Sequence, residues 1–578
     1  MKIAVHITHE ALYKIGGIGE VLNGLCTSQS YYNFFDRTLL YGPLFEYIGS
    51  ASTRLGRDGL VYYSSRDHYD AGHFGDLFRP ILEKYQIEVV YGKRRLASEL
   101  NPYKTANVDV LLVDVTKMKK ELVDQQKYLF WEKFGIPSDR YEKEWDYEQY
   151  FRLSLPYFEL IKKLFPRAQR IYHFSHEYMG VPCLLALELD LEFTSDVHKR
   201  IFYAHEVAPV RRIIENHPGH DITFYNLLER AKGKGILLED VFGSQMDWYR
   251  TALVKATQRF DRIFAVGDWV AEEYLFLVGT GEEKVKVVYN GLPHEHLSFE
   301  EKIKSRGKFE RCLDSKGCYR VDIIFSHTCR LVKSKGIWRD IILLSLLDPL
   351  LKSNNLTGVY ILLASQIPQG RPPELVETMV KEYGWPFNHR VGWPDLVGDE
   401  IFINNLIENF NQRSKAIRAI FINQYGLSKR KCGIDFPEDI TTRDLKLATD
   451  VELGMSIYEP FGISHIEVIP SGGIPVISTS CGVYFLLEKI FPKDFKPYFS
   501  VDFIHQAKDL PDEILFRINP EKREMLEELA LAGQLRALYN IIPKNEQDRI
   551  KLFEGMQSYI SKLDWDYIVK TYFFPALL

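Results

Sequence analysis

The stretch SIYEPFGISHIEVIPSGGIPVIST, residues 456–479, reads as strand, turn, helix and strand in immediate succession. LGMSIY (453–458) and IPVIST (474–479) are short apolar runs, Pro460 and Gly462 end the first and turn the chain, and ISHIEVIPSG carries a helical pattern. This succession is the repeating unit of a doubly wound α/β sheet. The turn leaves the amides of Gly462, Ile463 and Ser464 at a helix start, where they can hold phosphate oxygens. Glu459 stands beside Tyr458 at the strand tip. Glu467, about one turn into the helix, can accept hydrogen bonds from sugar hydroxyls of the same ligand.

The same signature recurs along the whole chain. KIAVHIT (2–8), RTLLYG (37–42), VDVLLVDV (108–115), RIYHFS (170–175), RIFYAH (200–205), RIFAVG (262–267) and VKVVYNG (285–291) are β-branched, apolar runs with helical patterns between several of them. They predict strands buried on both faces of a mostly parallel sheet. From about residue 290 the sequence turns charged and Gly-punctuated, as an interdomain connection would be. A second series follows with DIIFSHTCRL (322–331), GVYILLAS (358–365) and RAIFIN (418–423), and runs on into the two strands quoted above. The expected architecture is two Rossmann-like domains facing a central cleft, 1–300 and 315–554, with a helical excursion at about 366–417. The aromatic tail, about 555–578, wants a surface to pack on, and the first domain is the candidate.

The 578 residues, 46% hydrophobic with 34 Tyr and 36 Phe, are enough for two large cores. With 73 basic against 78 acidic residues there is no broad electrostatic footprint for nucleic acid or an anionic membrane. Seven cysteines form neither a CxxC pair nor a metal-ligand spacing, so reduced thiols are the default and no metal site is expected. The opening MKIAVHITHE is already a strand, without the features of a leader, and no run of 18 apolar residues occurs, which points to a cytoplasmic protein without a membrane partner.

Three further places carry chemistry. After the first strand come Lys14, Gly16, Gly17 and Gly19, where glycine amides at a helix N-terminus and a lysine suit a phosphate. Arg330 and Lys335 follow a second-domain strand, at the edge where parallel sheets bind ligands, and two cations there stabilise a departing diphosphate. His176-Glu177 and His205-Glu206 each end a strand. HPGH (217–220) lacks a third metal ligand and reads as a loop.

With these pieces in place, the chain resembles the glycogen and starch synthases, retaining glucosyltransferases of the GT-B type, and is closer to the eukaryotic-type branch. KIGGIGEV (14–21) looks like that family's donor loop, RLVKSKG (330–336) like its Arg/Lys pair, and YEPFGISHIE (458–467) like its E-x7-E block. HFSHEYMG (173–180), DITFYN (221–226), the segment 245–273, YNGL (289–292) and LDWDYI (563–568) also resemble that branch, in the same order.

The resemblance implies transfer of glucose from UDP-glucose or ADP-glucose to the non-reducing 4-hydroxyl of an α-1,4-glucan, glycogen or a maltooligosaccharide, with no required cofactor. It places Arg330 and Lys335 on the diphosphate with the 462–464 amides, Glu459 on the donor glucose and Glu467 on the ribose. His205 lies beside the reacting sugar, His176 and Glu177 on the acceptor side, and Asn290 and the 14–19 loop with the donor. Transfer to a small acceptor and a non-catalytic glucan-binding role are the alternatives. The eukaryotic arginine-rich regulatory helix is unmatched, since NEQDRIKLFEGMQSYISKLDW offers only Arg549 and Lys551 before Lys562. The helical excursion near 397–418 is a candidate subunit contact in a homo-oligomer.

Overall fold

The computed structural model describes residues 1–577 apart from 14–15, 46–48, 57, 98–102, 294–295, 315–320 and 434–435. The chain forms two compact units, the first Met1–Val210, Ala231–Pro293 and Asp564–Leu578, the second Arg211–Arg230 and His294–Leu563.

The first unit is built on ten strands: β1 (Lys2–Ile7), β2 (Arg37–Pro43), β3 (Gly59–Ser64), β4 (Tyr69–Asp70), β5 (Glu88–Ala97), β6 (Thr105–Asp114), β7 (Arg170–His176), β8 (His198–Ala204), β9 (Arg262–Ala265) and β10 (Val285–Val287). Their spatial order is β10-β9-β8-β7-β1-β2-β6-β5-β3-β4. From β6 to β10 all pairings are parallel and the winding reverses between β1 and β7, the switch point of a Rossmann sheet. These parallel strands are the runs expected from sequence. The antiparallel β5, β3 and β4 are not. Half of β5 reads EVVYG and half KRRLA, so its solvent-facing cations mask the apolar alternation of an edge extension.

The second unit holds six parallel strands, β11 (Ile323–Arg330), β12 (Gly358–Ser365), β13 (Ile417–Ile422), β14 (Val451–Gly454), β15 (Ile474–Ser478) and β16 (Phe499–Val501). Their order, β13-β12-β11-β14-β15-β16, is the doubly wound 3-2-1-4-5-6 arrangement, with the reversal between β11 and β14. Every residue of β12 is buried, as a strand covered on both faces requires.

Residues 366–417 connect the adjacent parallel strands β12 and β13 and supply core. Val376, Met379, Val380 and Trp385 pack with Ile361, Leu363, Ile420 and Ile422. A buried Arg371–Glu400 pair at 2.5 Å ties the connection together. The sequence reading of this segment as an excursion therefore gives way to a crossover that completes the domain.

Two segments read as belonging elsewhere join the second unit through buried charges. Arg339, on the helix Ile337–Ser353, is fully buried and donates to Asp221 at 2.7 and 2.9 Å and to Glu527 at 2.9 Å, under the ring of Phe503. This holds 211–230 in the second unit although the sequence places it within the first domain. The helix Phe299–Asp314, read as connection, is bound by Lys302, which donates to the Leu447 and Thr449 carbonyls, and by Arg306, paired with Asp450 at 2.6 Å. Arg549 is spent on Asp450 as well, at 2.8 Å.

The C-terminal residues pack within the first unit. Asp566 accepts from Ser28 Oγ at 2.7 Å and the Ser30 amide at 2.8 Å, and Phe573 lies against Tyr31, Phe174 and Phe264. Among the described residues no helix is long and apolar enough to cross a membrane.

Candidate functional site

The switch point of the second sheet brings the loop after β11 against the loop after β14. The Ser334 carbonyl accepts from the amides of Ile457 and Tyr458 at 2.9 and 3.2 Å. Gly336 closes the first loop with φ +61°, and a Cβ there would stand 2.8 Å from the Met455 carbonyl oxygen, so only glycine fits this seam. The stitching sets the Lys335 ammonium directly against the Glu459 carboxylate, both side chains largely buried. Glu459 is itself anchored, its carbonyl accepting from the Gly482 amide at 2.9 Å. Arg330, at the end of β11, is exposed and makes no ion pair among the described residues.

Arg211 is a nearby cation that sequence reasoning missed. It donates to Ser334 Oγ at 2.8 Å and lies 5.0 Å from the Tyr458 ring centre. In VAPVRRIIEN nothing local marks it, since the loop it touches is over 100 residues away.

Behind Glu459 stands His465, fully buried, 3.9 Å from the carboxylate and with neither ring nitrogen hydrogen-bonded among the described residues. Burial, with His327, Lys335 and Lys446 nearby, holds its pKa well below the usual histidine value, so it is a neutral neighbour to the Lys335–Glu459 pair.

The helix expected through ISHIEVIPSG is only Ile463–Ile466. Pro470 has no amide to continue it, and β14 ends at Gly454, short of the expected Tyr458. Gly462 and Ile463 stand at the start of this short helix, and the Ser464 carbonyl accepts from Lys446 at 2.8 Å. Lys446 also donates to buried Glu452 at 2.7 Å and lies 3.5 Å from Glu467, so Glu467 is held by a cation that its own segment does not contain. Burial pulls the Lys446 pKa down, yet the two carboxylates outweigh it and raise it overall.

The first unit carries a separate cluster where β1, β7 and β8 end. Lys14 lies outside the described residues. The amides of Gly16 and Gly19 donate to Glu10 Oε2 at 2.7 and 3.0 Å, so a buried carboxylate occupies the place the sequence reserved for a phosphate oxygen. Gly17 opens the helix Gly17–Thr27.

His176 is fully buried with both nitrogens engaged, Nε2 with His6 and Nδ1 with His205, each at 2.8 Å. It therefore has no atom left for an acceptor. Glu177 adopts φ +56° and accepts from the Glu206 amide at 2.7 Å, and burial together with Glu206 drives its carboxyl pKa well up. Its work is to hold the 205–206 turn. His205 is half-buried and lowered by burial to about 3. Asn290 lies in the first unit after β10, two strands from His205's β8, with Oδ1 buried and without a hydrogen-bond partner among the described residues.

HPGH is structural: His220 Nδ1 bonds the Ile214 carbonyl at 2.7 Å and Nε2 bonds Arg523 at 3.0 Å. Among the described residues no group of three or more His, Cys, Asp or Glu is placed to hold a metal ion.

No family model matches the chain, and no curated protein matches it in sequence. Solved structures do align over nearly full length. The catalytic domain of starch synthase IV from Arabidopsis thaliana, bound to ADP and acarbose, is 13% identical over 97% of this chain and 99% of that one, with a TM-score of 0.47. A UDP-forming α,α-trehalose-phosphate synthase from Burkholderia xenovorans is 14% identical over 100% and 98%, with a TM-score of 0.49. Another structure from that organism, in complex with glucose-6-phosphate, is 12% identical over 100% of both chains, with a TM-score of 0.48. At such identities and scores these likenesses say nothing about which nucleotide or sugar this chain takes.

Proposed function

We propose that the chain is a retaining glucosyltransferase that carries glucose from UDP-glucose or ADP-glucose to the non-reducing 4-hydroxyl of an α-1,4-glucan, glycogen or a maltooligosaccharide. The observation that carries this reading is the Lys335–Glu459 pair with Arg330, which has no ion pair among the described residues, in and after the carboxyl ends of β11 and β14, the switch point of a 3-2-1-4-5-6 sheet. Ligands of doubly wound sheets bind at that point.

In this reading Arg330 and Lys335 take the charge that grows on the departing diphosphate. Tyr458 and the amides of Gly462, Ile463 and Ser464 line the same donor. Glu459, released from Lys335 when phosphate arrives, orients the donor glucose. Glu467, held by Lys446, receives the ribose hydroxyls. His205 serves the reacting sugar. No metal or resident cofactor is required.

The test is a matrix of radiolabelled UDP-glucose and ADP-glucose against glycogen, maltooligosaccharides, glucose-6-phosphate and small alcohols. Label in polymer with α-configured new bonds supports the reading. Label in a small product alone moves the acceptor. No transfer in any cell, with nucleotide binding intact, leaves a non-catalytic binding protein.

A further inference from the structure

Four side chains form a line through the first unit at the ends of β1, β7 and β8. The Tyr31 hydroxyl is 2.7 Å from His6 Nε2, His6 Nδ1 is 2.8 Å from His176 Nε2, and His176 Nδ1 is 2.8 Å from His205 Nε2. Parallel register produces the line, with His6 beside Phe174 on β7 and His176 beside Tyr203 on β8. Packing then fixes each ring. His6 stacks on Phe174 at 4.7 Å, Tyr203 lies 5.3 Å from His176 and 4.8 Å from His205, and Tyr31 is held between Phe35 and Phe573.

Burial lowers His6 and His205 to about 3 and His176 well below its ordinary value, so all three rings are neutral at physiological pH. A neutral imidazole has one N–H and one lone pair, and the three contacts must therefore point the same way along the line. In one direction Tyr31 donates to His6 and the last proton falls on His205 Nδ1. In the other, His205 donates inward from Nε2 and its Nδ1 is a bare acceptor. A phenol is a stronger acid than a neutral imidazole, which makes Tyr31 the better donor. The Thr38 hydroxyl, 3.4 Å away with its donor geometry toward the Tyr31 oxygen, suits the same direction.

We propose that Tyr31, His6 and His176 are positioning residues that hold His205 as the Nδ1–H tautomer, presenting a hydrogen-bond donor to an oxygen of the bound sugar. This rests on the reading above, in which His205 meets the sugar. His176, in that case, acts through His205 and not on an acceptor.

The same strand supplies an internal comparison. His173 bonds Tyr157 at 2.5 Å and His198 at 2.9 Å, and, three residues from His176 on β7, it projects from the opposite face. This second line is built alike but does not lead to His205.

The experiment uses the full chain with 15N-labelled histidine rings, where long-range 1H–15N correlations distinguish the two tautomers and His205→Gln assigns the His205 signals. Wild type is expected to show His205 as Nδ1–H. Tyr31→Phe should convert it to Nε2–H or a mixture and lower kcat for glucosyl transfer about 10- to 100-fold, with calorimetric Kd for UDP and ADP unchanged. Tyr157→Phe should leave tautomer and kcat as in wild type. His6→Leu, which cuts the line beside Phe174, repeats the test if the melting point of Tyr31→Phe shows it misfolded. The proposal is overturned if wild-type His205 is Nε2–H, if neither variant moves the His205 signals, or if Tyr157→Phe moves them equally. A tautomer shift in a protein that transfers no sugar would uphold the relay and remove the functional reading. Transfer with an unmoved tautomer would do the reverse.

Discussion

Lys335 and Glu459 are partners in one ion pair, yet replacing them should move nucleotide affinity in opposite directions. In the free protein the ammonium is engaged by the carboxylate. A diphosphate arriving at Lys335 must displace that carboxylate and then lie next to it. With the two anions about 5 Å apart at an effective dielectric near 20, the repulsion is about 3 kcal/mol before screening. Glu459→Gln removes it, and UDP or ADP should bind tighter by about 1–3 kcal/mol, roughly 5- to 150-fold. Lys335→Met removes a charge-assisted contact and leaves Glu459 unopposed, so affinity should fall by about 1.5–3 kcal/mol, roughly 10- to 150-fold. Under the proposed function both variants should lose turnover, Glu459→Gln because it removes the carboxylate proposed to orient the donor sugar and Lys335→Met because it removes a cation proposed to stabilise the departing diphosphate. Isothermal titration calorimetry with UDP and ADP, beside steady-state transfer rates, measures both signs. If Glu459→Gln binds nucleotide no better than wild type while melting normally, Lys335 does not hold the phosphate and the site has been misread.

Lys446→Met leaves Glu452 buried beside Glu467 without a cation, and should destabilise the second unit by about 3–5 kcal/mol. Adding Glu452→Gln should restore most of the melting temperature, and failure to do so would deny the pairing. Arg339→Met strands Asp221 and Glu527 in the core and should make 211–230 the first site cut in limited proteolysis; an unchanged fragment pattern would contradict its anchoring role. The buried histidines set an acid limit. A folded-state pKa of about 3 for His6, against about 6.5 unfolded, leaves its stability contribution intact above pH 6.5 and loses it as pH falls toward 3. That is about 1.4 kcal/mol per pH unit for each such group, or about 2 kcal/mol at pH 5. Urea midpoints between pH 7.5 and 5 should fall less steeply in His6→Leu than in wild type, and parallel curves would refute the assignment.

The parallel strands other than the three-residue β16 were readable because their signal is local. A strand covered on both faces must be apolar throughout, as GVYILLAS is, and no partner needs to be known to see it. The helix start at Gly462 is equally local, since its φ of +101° acts through its own backbone. Of the antiparallel strands, β5 escaped because the exposed Lys93 and Arg95 break its apolar run, and β4 because it is only two exposed residues; the four-residue helix at Ile463–Ile466 was overextended because ISHIEVI keeps helical spacing up to Pro470.

Sequence by itself thus determined two parallel-sheet α/β units and the order of most of their parallel strands, with Arg330 at the end of β11 and Lys335 and Glu459 in the loops after β11 and β14. Tertiary structure alone decided what each charged or titratable group does. Lys446 serves Glu467, Arg339 draws 211–230 into the second unit, Glu10 fills the glycine loop, and both nitrogens of His176 are taken. The physical reason is range. Burial periodicity is a property of a few consecutive residues, whereas a hydrogen bond joins groups separated by up to hundreds of positions, and register between strands chooses the partner.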